Sequence, residues 1–376
     1  MQSLLAERNS IPRRSASPIA PVKHVAIPAS PPPAPPPVVE VRPTLPPGEV
    51  YERLACVGEG TYGKVYKARN AEDGSVVAMK RIRMEGEKDG FPVTAMREIK
   101  LLQGLKHENV IGLVEMMVSK GFVYMIFEYM EHDLTGLLAK PDLTLSPAQK
   151  KSLNYQMLDG LAYLHAHSIL HRDLKGSNIL LDGRGTLKLA DFGLARFYSK
   201  RRKDDYTNRV ITLWYRGPEL LLGETVYGPE VDIWSAGCIM LELSTGKPIF
   251  QGRDEIHQLE TIYEIFGTPS LSAWPTMVEL PWYELVRPKS TLPNRFREGF
   301  RGKYLTDAGL DLAEQLLAYD PAKRVSAADA LKSRYFTEEE PGMEKPDLGE
   351  HGEWHEMDAK ATRRKKREAA GESAGR

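Results

Sequence analysis

The chain has 376 residues, 41% hydrophobic and 27% charged, a composition typical of soluble globular proteins, which excludes a fully disordered or fibrous chain. Its 51 basic and 51 acidic residues give a formal net charge of zero, so we expect no direct nucleic-acid partner. Only two cysteines occur, which excludes a disulfide framework, and no apolar run reaches the roughly 20 residues that span a bilayer, so we expect no membrane association.

Residues 1–49 form the first segment of distinct composition. They hold about half of the 27 prolines, including the run from Pro31 to Pro37. Proline lacks the backbone donor that helices and interior strands need, so we expect a disordered, proline-rich arm. The arm is interpreted as a solvated linker, with a ligand for a proline-recognising domain as the alternative.

Residues 50–131 are predicted to form a small β-rich lobe, since short β-rich runs alternate there with glycine turns. The predicted strands are Tyr51–Val57, Gly63–Ala68, Val76–Arg83, Ile111–Val118 and Gly121–Glu128. One helix, Pro92–Gly104, is predicted between the third and fourth strands from apolar residues at helical spacing.

Residues 132–336 are predicted to form a larger α-rich lobe. Ala148–His167 has the pattern of a long amphipathic helix, and Val231–Ser244 is apolar enough for a core helix. The expected fold class is therefore α+β with two lobes. Residues 337–376 become polar, with charge blocks at Glu338–Glu340 and Arg363–Arg367, and we expect a solvated, disordered tail. The basic block is also consistent with a nuclear-import signal.

The link between the first two strands is rich in glycine, which lets a hairpin backbone lie close over phosphates. The segment is Gly58-Glu59-Gly60-Thr61-Tyr62-Gly63-Lys64-Val65. A second β-run follows this segment, which argues against the dinucleotide-binding version of the motif, because that version opens a helix.

A lysine, Lys80, ends the apolar strand run Val77-Ala78-Met79 and needs a partner there. Nucleotide phosphates and a glutamate on the next helix, Glu98, are the predicted partners. Isolated strand lysines are usually exposed, so the prediction depends on the combination of motifs.

The strongest motif is His171-Arg172-Asp173-Leu174-Lys175-Gly176-Ser177-Asn178. Asp173 is predicted to accept or orient a substrate hydroxyl, and Lys175 to neutralise charge on a transferred phosphoryl group. Asn178 and Asp191, in Asp191-Phe192-Gly193, supply oxygen ligands of the kind that Mg²⁺ uses together with substrate phosphates.

These motifs, in this order, resemble those of the eukaryotic protein kinases, and the resemblance covers about residues 50 to 336. Gly217-Pro218-Glu219 stands where the family usually has Ala-Pro-Glu, a mild departure. The resemblance implies two structural pairings, Glu219 with Arg324 and Asp232 with the catalytic loop.

The segment from Pro92 to Glu98 resembles the cyclin-binding helix of the cyclin-dependent kinases, and Asp205–Arg216 resembles their activation segment. Three stretches resemble the transcription-elongation branch of this family: Gly90-Phe91, Lys175-Gly176-Ser177-Asn178 and Tyr206–Trp214. Within that branch, the nearest resemblance is to the fungal-type kinase of the RNA polymerase II C-terminal domain.

The resemblance implies transfer of the ATP γ-phosphoryl group to Ser or Thr, with ATP and Mg²⁺ as cofactors. The implied adenine site has Glu128 and Met130 as hinge hydrogen-bond partners, beside Phe127 and Leu180. Val57, Val65 and Ala78 are implied to line the rest of it. A preference for proline after the target residue is implied by the backbone near Ile211, held by Arg216.

A cyclin is the implied partner, since the predicted helix Pro92–Gly104 is expected to need support to hold Glu98 toward Lys80. Thr207 is the implied site of activating phosphorylation. Three arginines match the family's phosphate clamp and would accept its charge: Arg97, Arg172 and Arg196.

Three functions stay open at this point: a transcription-type kinase acting on the RNA polymerase II C-terminal domain, a cell-cycle kinase with the same chemistry, and a catalytically weak nucleotide-binding scaffold. The scaffold is disfavoured because no implied catalytic position is missing. We expect the nucleus as the compartment, with the cytoplasm as a second one.

Overall fold

The computed structural model describes residues 50–60, 63–82, 92–119, 121–199, 206–288, 290–362 and 364. The predictions for the proline-rich arm, Thr61, Tyr62, Gly90-Phe91 and most of the basic block 363–367 fall outside these residues. None of the described helices has the length and apolar character that crossing a membrane requires.

The smaller lobe is built on a five-stranded antiparallel sheet of order β1-β2-β3-β5-β4. Its strands are β1 Tyr51–Gly60, β2 Gly63–Asn70, β3 Val76–Arg81, β4 Leu113–Ser119 and β5 Phe122–Glu128. The turn between β2 and β3 uses Gly74 at φ 74°, and Asp73 accepts a hydrogen bond from the backbone of Ser75. All five predicted strands are confirmed, and each end lies within three residues of its predicted position.

Helix α1, Val93–Gln103, follows Pro92 and confirms the predicted helix of this lobe. Leu101 and Leu102 are buried on its inner face, whereas Met96 on the opposite face is 57% exposed. The helix therefore packs with one face on the protein and presents an apolar side chain on the other.

The larger lobe is mainly helical, and both ends of its two predicted long helices lie within one residue of the prediction. The helices are α2 Leu134–Ala139, α3 Pro147–Ala166, α4 Pro218–Leu221, α5 Glu230–Thr245, α6 Glu255–Phe266, α7 Tyr283–Val286, α8 Phe296–Phe300, α9 Asp307–Leu316, α10 Ala327–Ala330, α11 Arg334–Thr337 and α12, residues 356–362. Ser146 and Gln149 form a capping box that starts α3. Helix α5 is buried from Val231 to Ser244, which confirms it as the core helix.

Two small antiparallel sheets carry the loops of the larger lobe. One has the order β6-β8-β9, with strands His132–Asp133, Ile179–Leu181 and Leu187–Leu189, and the other pairs β7, Ile169–Leu170, with β10, Arg196–Phe197. The residues between β7 and β10 contain the catalytic motifs, so these short pairings fix where those motifs begin and end.

A buried ion pair joins distant parts of the larger lobe. Arg324 donates from both terminal nitrogens to the carboxylate of Glu219, at 2.6 and 2.7 Å, and both side chains are almost fully buried. The pairing implied by the family resemblance is therefore present. Because each charge satisfies the other, removal of one partner is expected to destabilise the fold by about 3–5 kcal/mol.

The segment after Phe336 differs from the solvated tail that its charges predict. Lys151 on α3 is 1% exposed and donates to the backbone carbonyls of Glu339 and Pro341, at 2.6 and 2.8 Å. Further along, the Trp354 backbone pairs with Glu131 and Asp133, beside β6. The polar residues of this segment are compatible with a packed position because acceptors and donors of the larger lobe satisfy them.

The same segment approaches the lobe without room for extra atoms. A Cβ atom added at Gly136 on α2 would lie 2.5 Å from the carbonyl oxygen of Trp354. Glycine at this position thus permits the close approach of the two backbones.

Candidate active site

A cleft of about 700 Å³ lies between the five-stranded sheet and the helical lobe. Most residues predicted to bind a nucleotide line it: Val57, Gly58, Glu59, Gly63, Val65, Ala78, Lys80, Glu98, Phe127, Glu128, Met130 and Leu180. Of the others, Gly60 ends β1, Lys64 forms an exposed ion pair with Glu59 at 3.6 Å, and Thr61 and Tyr62 lie outside the described residues.

The glycine-rich segment forms a hairpin, as its sequence predicts. Gly60 on β1 pairs with Gly63 on β2, and Gly63 has a φ of 141°, a region that favours glycine. Because the hairpin forms the roof of the cleft, its backbone can lie against phosphate groups below it.

Lys80 lies at the centre of a buried charge cluster. Its Nζ atom is 2.8 Å from Oε1 of Glu98 and 3.0 Å from Oδ1 of Asp191. Although burial alone would lower it, the two nearby carboxylates raise the pKa of Lys80. Burial likewise opposes ionisation of Asp191, but Lys80 holds the pKa of that carboxyl below its usual value. Lys80 and Asp191 therefore both stay charged at neutral pH.

The predicted pair between Lys80 and Glu98 is present, with α1 in its inward position. Glu98 is 4% exposed, and α1 packs against the turn Phe192–Leu194. Phe192 is itself buried and lies 5.1 Å, ring to ring, from His171. Contacts with this turn accompany the inward position of the helix, and support of that position by a cyclin stays a prediction.

Asp173 has hydrogen-bond partners on each carboxylate oxygen. Oδ1 accepts from the Thr212 hydroxyl at 3.0 Å, and Oδ2 accepts from Nζ of Lys175 at 2.7 Å. The amide nitrogen of Asn178 donates to the Asp173 carbonyl at 2.8 Å and to Oδ2 at 3.1 Å. These bonds fix the direction in which the carboxylate faces the cleft.

The donor set at the cleft fits a magnesium ion that nucleotide phosphates help to hold. Asp191 offers a carboxylate that is 31% exposed, and Asn178 offers its amide oxygen because the amide nitrogen is already bonded. Within the described residues, no group of three or more His, Cys, Asp or Glu side chains forms a complete metal site. This agrees with the preference of Mg²⁺ for few protein ligands plus waters and phosphates.

The catalytic loop is held from below by Asp232 of α5. Its carboxylate accepts from the backbone nitrogens of His171 and Arg172, at 2.9 and 2.8 Å, and contacts the ring of His165 at 3.0 Å. Arg172 has a φ of 65°, an uncommon conformation for a residue with a side chain. The two backbone bonds to a fully buried acid support that conformation.

Ile211 also has a left-handed backbone, with a φ of 63°. Its carbonyl oxygen accepts from Nη2 of Arg216 at 3.1 Å, and the Val210 carbonyl accepts from Nε at 3.0 Å. Arg216 also forms an ion pair with Glu255 at 2.9 Å. The carbonyl oxygens of Val210 and Ile211, beside the cleft floor, are therefore already hydrogen-bonded to the guanidinium.

Thr207 is exposed, and its surroundings contain two of the three predicted clamp arginines. Arg172 donates to the hydroxyl of Tyr227, which in turn donates to the Thr207 carbonyl. Burial raises the pKa of the Tyr227 hydroxyl, and the nearby charges of Arg172 and Arg196 oppose that rise. Arg97 is half-buried on α1, and within the described residues no hydrogen bond joins it to Thr207.

Four residues of the C-terminal segment line the cleft, although the sequence analysis did not predict them there: His355, Glu356, Met357 and Lys360. Glu353, just before them, contacts Lys67 of β2 and the hydroxyl of Tyr129, so the segment touches both lobes. The available signal was Trp354, a large apolar residue within a polar stretch, which indicates burial.

Comparisons with known proteins agree with this geometry. The family model described as protein kinase domain matches residues 51–336. The chain is 54% identical over 322 residues to CTD kinase subunit alpha of Schizosaccharomyces pombe, and 51% identical over 321 residues to its namesake in Saccharomyces cerevisiae. Both alignments cover 85% of this chain, but 54% and 60% of those proteins, so the chain spans somewhat over half their length.

A more distant relative and a solved structure extend the comparison. Cyclin-dependent kinase 12 of Drosophila melanogaster is 46% identical over 332 residues, which cover 85% of this chain and 28% of that protein. The crystal structure of the yeast RNA Pol II CTD kinase CTDK-1 complex contains a chain that is 48% identical, with a TM-score of 0.76. The alignment covers 82% of this chain and 99% of that one, which confirms the predicted bilobal fold.

Proposed function

Since the chain belongs to the protein kinase family, we propose that it transfers the γ-phosphoryl group of ATP to Ser or Thr hydroxyls of a protein substrate. The observation that carries the proposal is the convergence of Lys80, Asp191 and Asp173 on one cleft beneath a glycine hairpin. A scaffold that only binds nucleotides would not need the directed carboxylate of Asp173.

Each side chain has a role that follows from its position. Lys80 binds phosphate oxygens, and Glu98 holds it in place. Asp173 orients the substrate hydroxyl and takes its proton, while Lys175, 2.7 Å away, neutralises charge on the transferring group. Magnesium, held by Asp191 and Asn178, would neutralise the charge of the β- and γ-phosphates.

The adenine is proposed to lie between Ala78 above and Leu180 below, against Phe127. Its hydrogen-bond partners are backbone groups of the hinge at Glu128, which ends β5, and at Met130. All five residues line the cleft, and all but Glu128 have apolar side chains.

A proline after the target residue is the proposed preference. A residue with an N–H group would face the Ile211 and Val210 carbonyls, which Arg216 already occupies, and its donor would be unpaired. Proline has no N–H and avoids that cost, which is about 1–3 kcal/mol for a buried unsatisfied group.

The proposed substrate is the RNA polymerase II C-terminal domain, the proposed partner is a cyclin, and the proposed compartment is the nucleus. Support comes from the names of the relatives, two CTD kinase subunits and a cyclin-dependent kinase. Additional support comes from Met96, an apolar side chain that is 57% exposed on the outer face of α1.

Thr207 is the proposed activating phosphorylation site. Thr207→Ala is expected to lower activity by about tenfold or more without blocking cyclin binding, because the arginines lose a doubly charged partner. Thr212→Ala is expected to act differently and lower kcat directly, since the Thr212 hydroxyl bonds Asp173.

The deciding experiment is a γ-phosphoryl transfer assay of the full chain with and without cyclin, on polymerase-tail and histone peptides. Transfer to polymerase-tail Ser-Pro peptides supports the proposal. Preference for histone peptides would instead identify a cell-cycle kinase, and ATP binding without transfer to any peptide would identify a scaffold.

A further inference from the structure

A single buried hydroxyl connects the catalytic loop to the proposed phosphorylation site. Nη1 of Arg172 donates to the Tyr227 hydroxyl at 3.0 Å, and that hydroxyl donates to the Thr207 carbonyl at 2.8 Å. Tyr227 is 7% exposed, so water does not compete for these bonds. The backbone of Thr207 is thereby held without any group added to its side chain.

The residue before Thr207 is held at the same place. The ring of Tyr206 lies 5.2 Å from the ring of Tyr227, and the Arg172 guanidinium lies 5.4 Å from the Tyr206 ring centre. The backbone nitrogen of Tyr206 donates to the Thr225 carbonyl at 2.8 Å. Aromatic and cation–π contacts thus add to the hydrogen bonds on either side of the same arginine.

Arg172 is a buried cation whose partners in this cluster are neutral. It is 2% exposed and also donates from Nε to the Leu194 carbonyl at 2.8 Å, and within the described residues no carboxylate pairs with it. Burial raises the pKa of Tyr227 despite the charge of Arg172, so its hydroxyl keeps the proton that it donates to Thr207. A buried cation with neutral partners would gain from a phosphate.

We propose that Tyr227 is a positioning residue that keeps the activation segment ordered before Thr207 is phosphorylated. The inference rests on the proposed kinase function. Phosphate on Thr207 would give Arg172 a doubly charged partner and make the hydroxyl of Tyr227 dispensable. Tyr227 therefore supports the activity of the unphosphorylated chain and contributes little to that of the phosphorylated one.

The experiment compares Tyr227→Phe with the unchanged chain, each bound to cyclin, in the Thr207-phosphorylated and unphosphorylated forms. We expect Tyr227→Phe to lower kcat/KM on a Ser-Pro peptide by roughly fivefold or more in the unphosphorylated form. In the phosphorylated form the loss is expected to stay below about twofold. The same loss should appear when Tyr227→Phe is added to a Thr207→Ala chain, which cannot be phosphorylated at this position.

The control variant is Tyr319→Phe, which removes another tyrosine hydroxyl of the larger lobe, one bonded to the Gly267 carbonyl at 2.6 Å. It has no contact with the activation segment among the described residues and should leave both forms unchanged. An equal loss for Tyr227→Phe in both phosphorylation forms, or none in either, overturns the proposal, because a merely structural role does not depend on the phosphate.

Hydrogen exchange of residues 206–212 provides a readout that does not need catalysis. Tyr227→Phe should speed exchange there in the unphosphorylated form and leave it unchanged in the phosphorylated form. If the unchanged chain transfers phosphate to no peptide, the proposed function fails, and this exchange contrast alone decides whether Tyr227 orders the segment.

Discussion

The ammonium group of Lys80 and the carboxylate of Glu98 form a 2.8 Å ion pair within this single chain. The structure therefore has β3 and α1 in the arrangement that the proposed phosphate binding needs. A partner that binds this arrangement more tightly than other positions of α1 would increase the fraction of the chain that adopts it. The outer face of α1, where Met96 is exposed, is the surface on which such a partner can act.

The first prediction concerns that face. Met96 is 57% exposed on α1, so Met96→Asp should leave the fold intact but put a charge into an apolar interface. We expect cyclin affinity to fall by about tenfold or more, because an unpaired buried charge is costly. Titration of the chain with cyclin measures the effect.

Val278→Asp is the matched control, since Val278 is also exposed, at 45%, but lies in the larger lobe. It should bind cyclin like the unchanged chain. Equal affinity of Met96→Asp and the control would mean that α1 does not contact the partner.

The second prediction concerns Asp191, the proposed metal-binding carboxylate. Asp191→Asn removes a charge that neutralises Lys80 and would hold Mg²⁺, and we expect kcat to fall by roughly 10³-fold or more. The melting temperature should change little, because Asp191 is partly exposed. Asp329→Asn, at an exposed carboxylate paired with Lys332, serves as the control. A kcat within about tenfold of the unchanged chain would show that Asp191 has another role.

The third prediction concerns a buried acid outside the reaction. Glu242 on α5 is 2% exposed, and burial raises its pKa to about 7, although a hydrogen bond from Tyr215 at 2.7 Å opposes the rise. The native state therefore holds this proton more tightly than the unfolded chain does. Its contribution to stability is complete below pH 4.5, the ordinary value, and is lost as the pH rises to about 7.

Glu242→Gln keeps an acceptor for Tyr215 but cannot ionise. The decrease in the free energy of unfolding between pH 5 and pH 8 should be smaller in this variant, by on the order of 3 kcal/mol. Urea unfolding at the two pH values measures it, with the exposed Glu284→Gln as control. The same pH dependence in Glu242→Gln and the unchanged chain would contradict the raised pKa.

The sequence predicts the sheet, α1, α3 and α5 because local periodicity records which face of each element is buried. It also predicts Lys80, Asp173 and Asp191 as site residues, and the structure brings all three to one cleft. The sequence predicts the pairing of Lys80 with Glu98 but not the distance between them. That distance depends on how α1 packs against Phe192, which is 94 residues away from Glu98 along the chain.

The C-terminal segment shows why the remaining part of the site was not predicted. Its charges resemble those of a solvated tail, but their partners lie far away in the chain: Lys345 pairs with Glu108 at 2.8 Å, and Glu353 contacts Lys67. A charge pattern contains no information about partners that only the folded lobe brings close. Composition therefore predicts correctly that many of these side chains are exposed. It predicts wrongly that the backbone is a solvated tail, because the backbone bonds to the larger lobe.

The fourth prediction follows from that path. Removal of residues 353–376 deletes His355, Met357 and Lys360 from the wall of the cleft, together with the contact between Glu353 and Lys67 that connects the lobes. The groups that perform the transfer lie elsewhere, so ATP binding should weaken while chemistry persists. We expect the KM for ATP to rise by about three- to tenfold, with kcat changed by less than about twofold. Initial rates at varied ATP measure both constants.

The control is removal of residues 365–376 alone, which keeps every described cleft residue and should leave the KM unchanged. Equal effects of the two truncations would assign the change to residues 365–376, and an unchanged KM in both would show that residues 353–376 do not contribute to ATP binding.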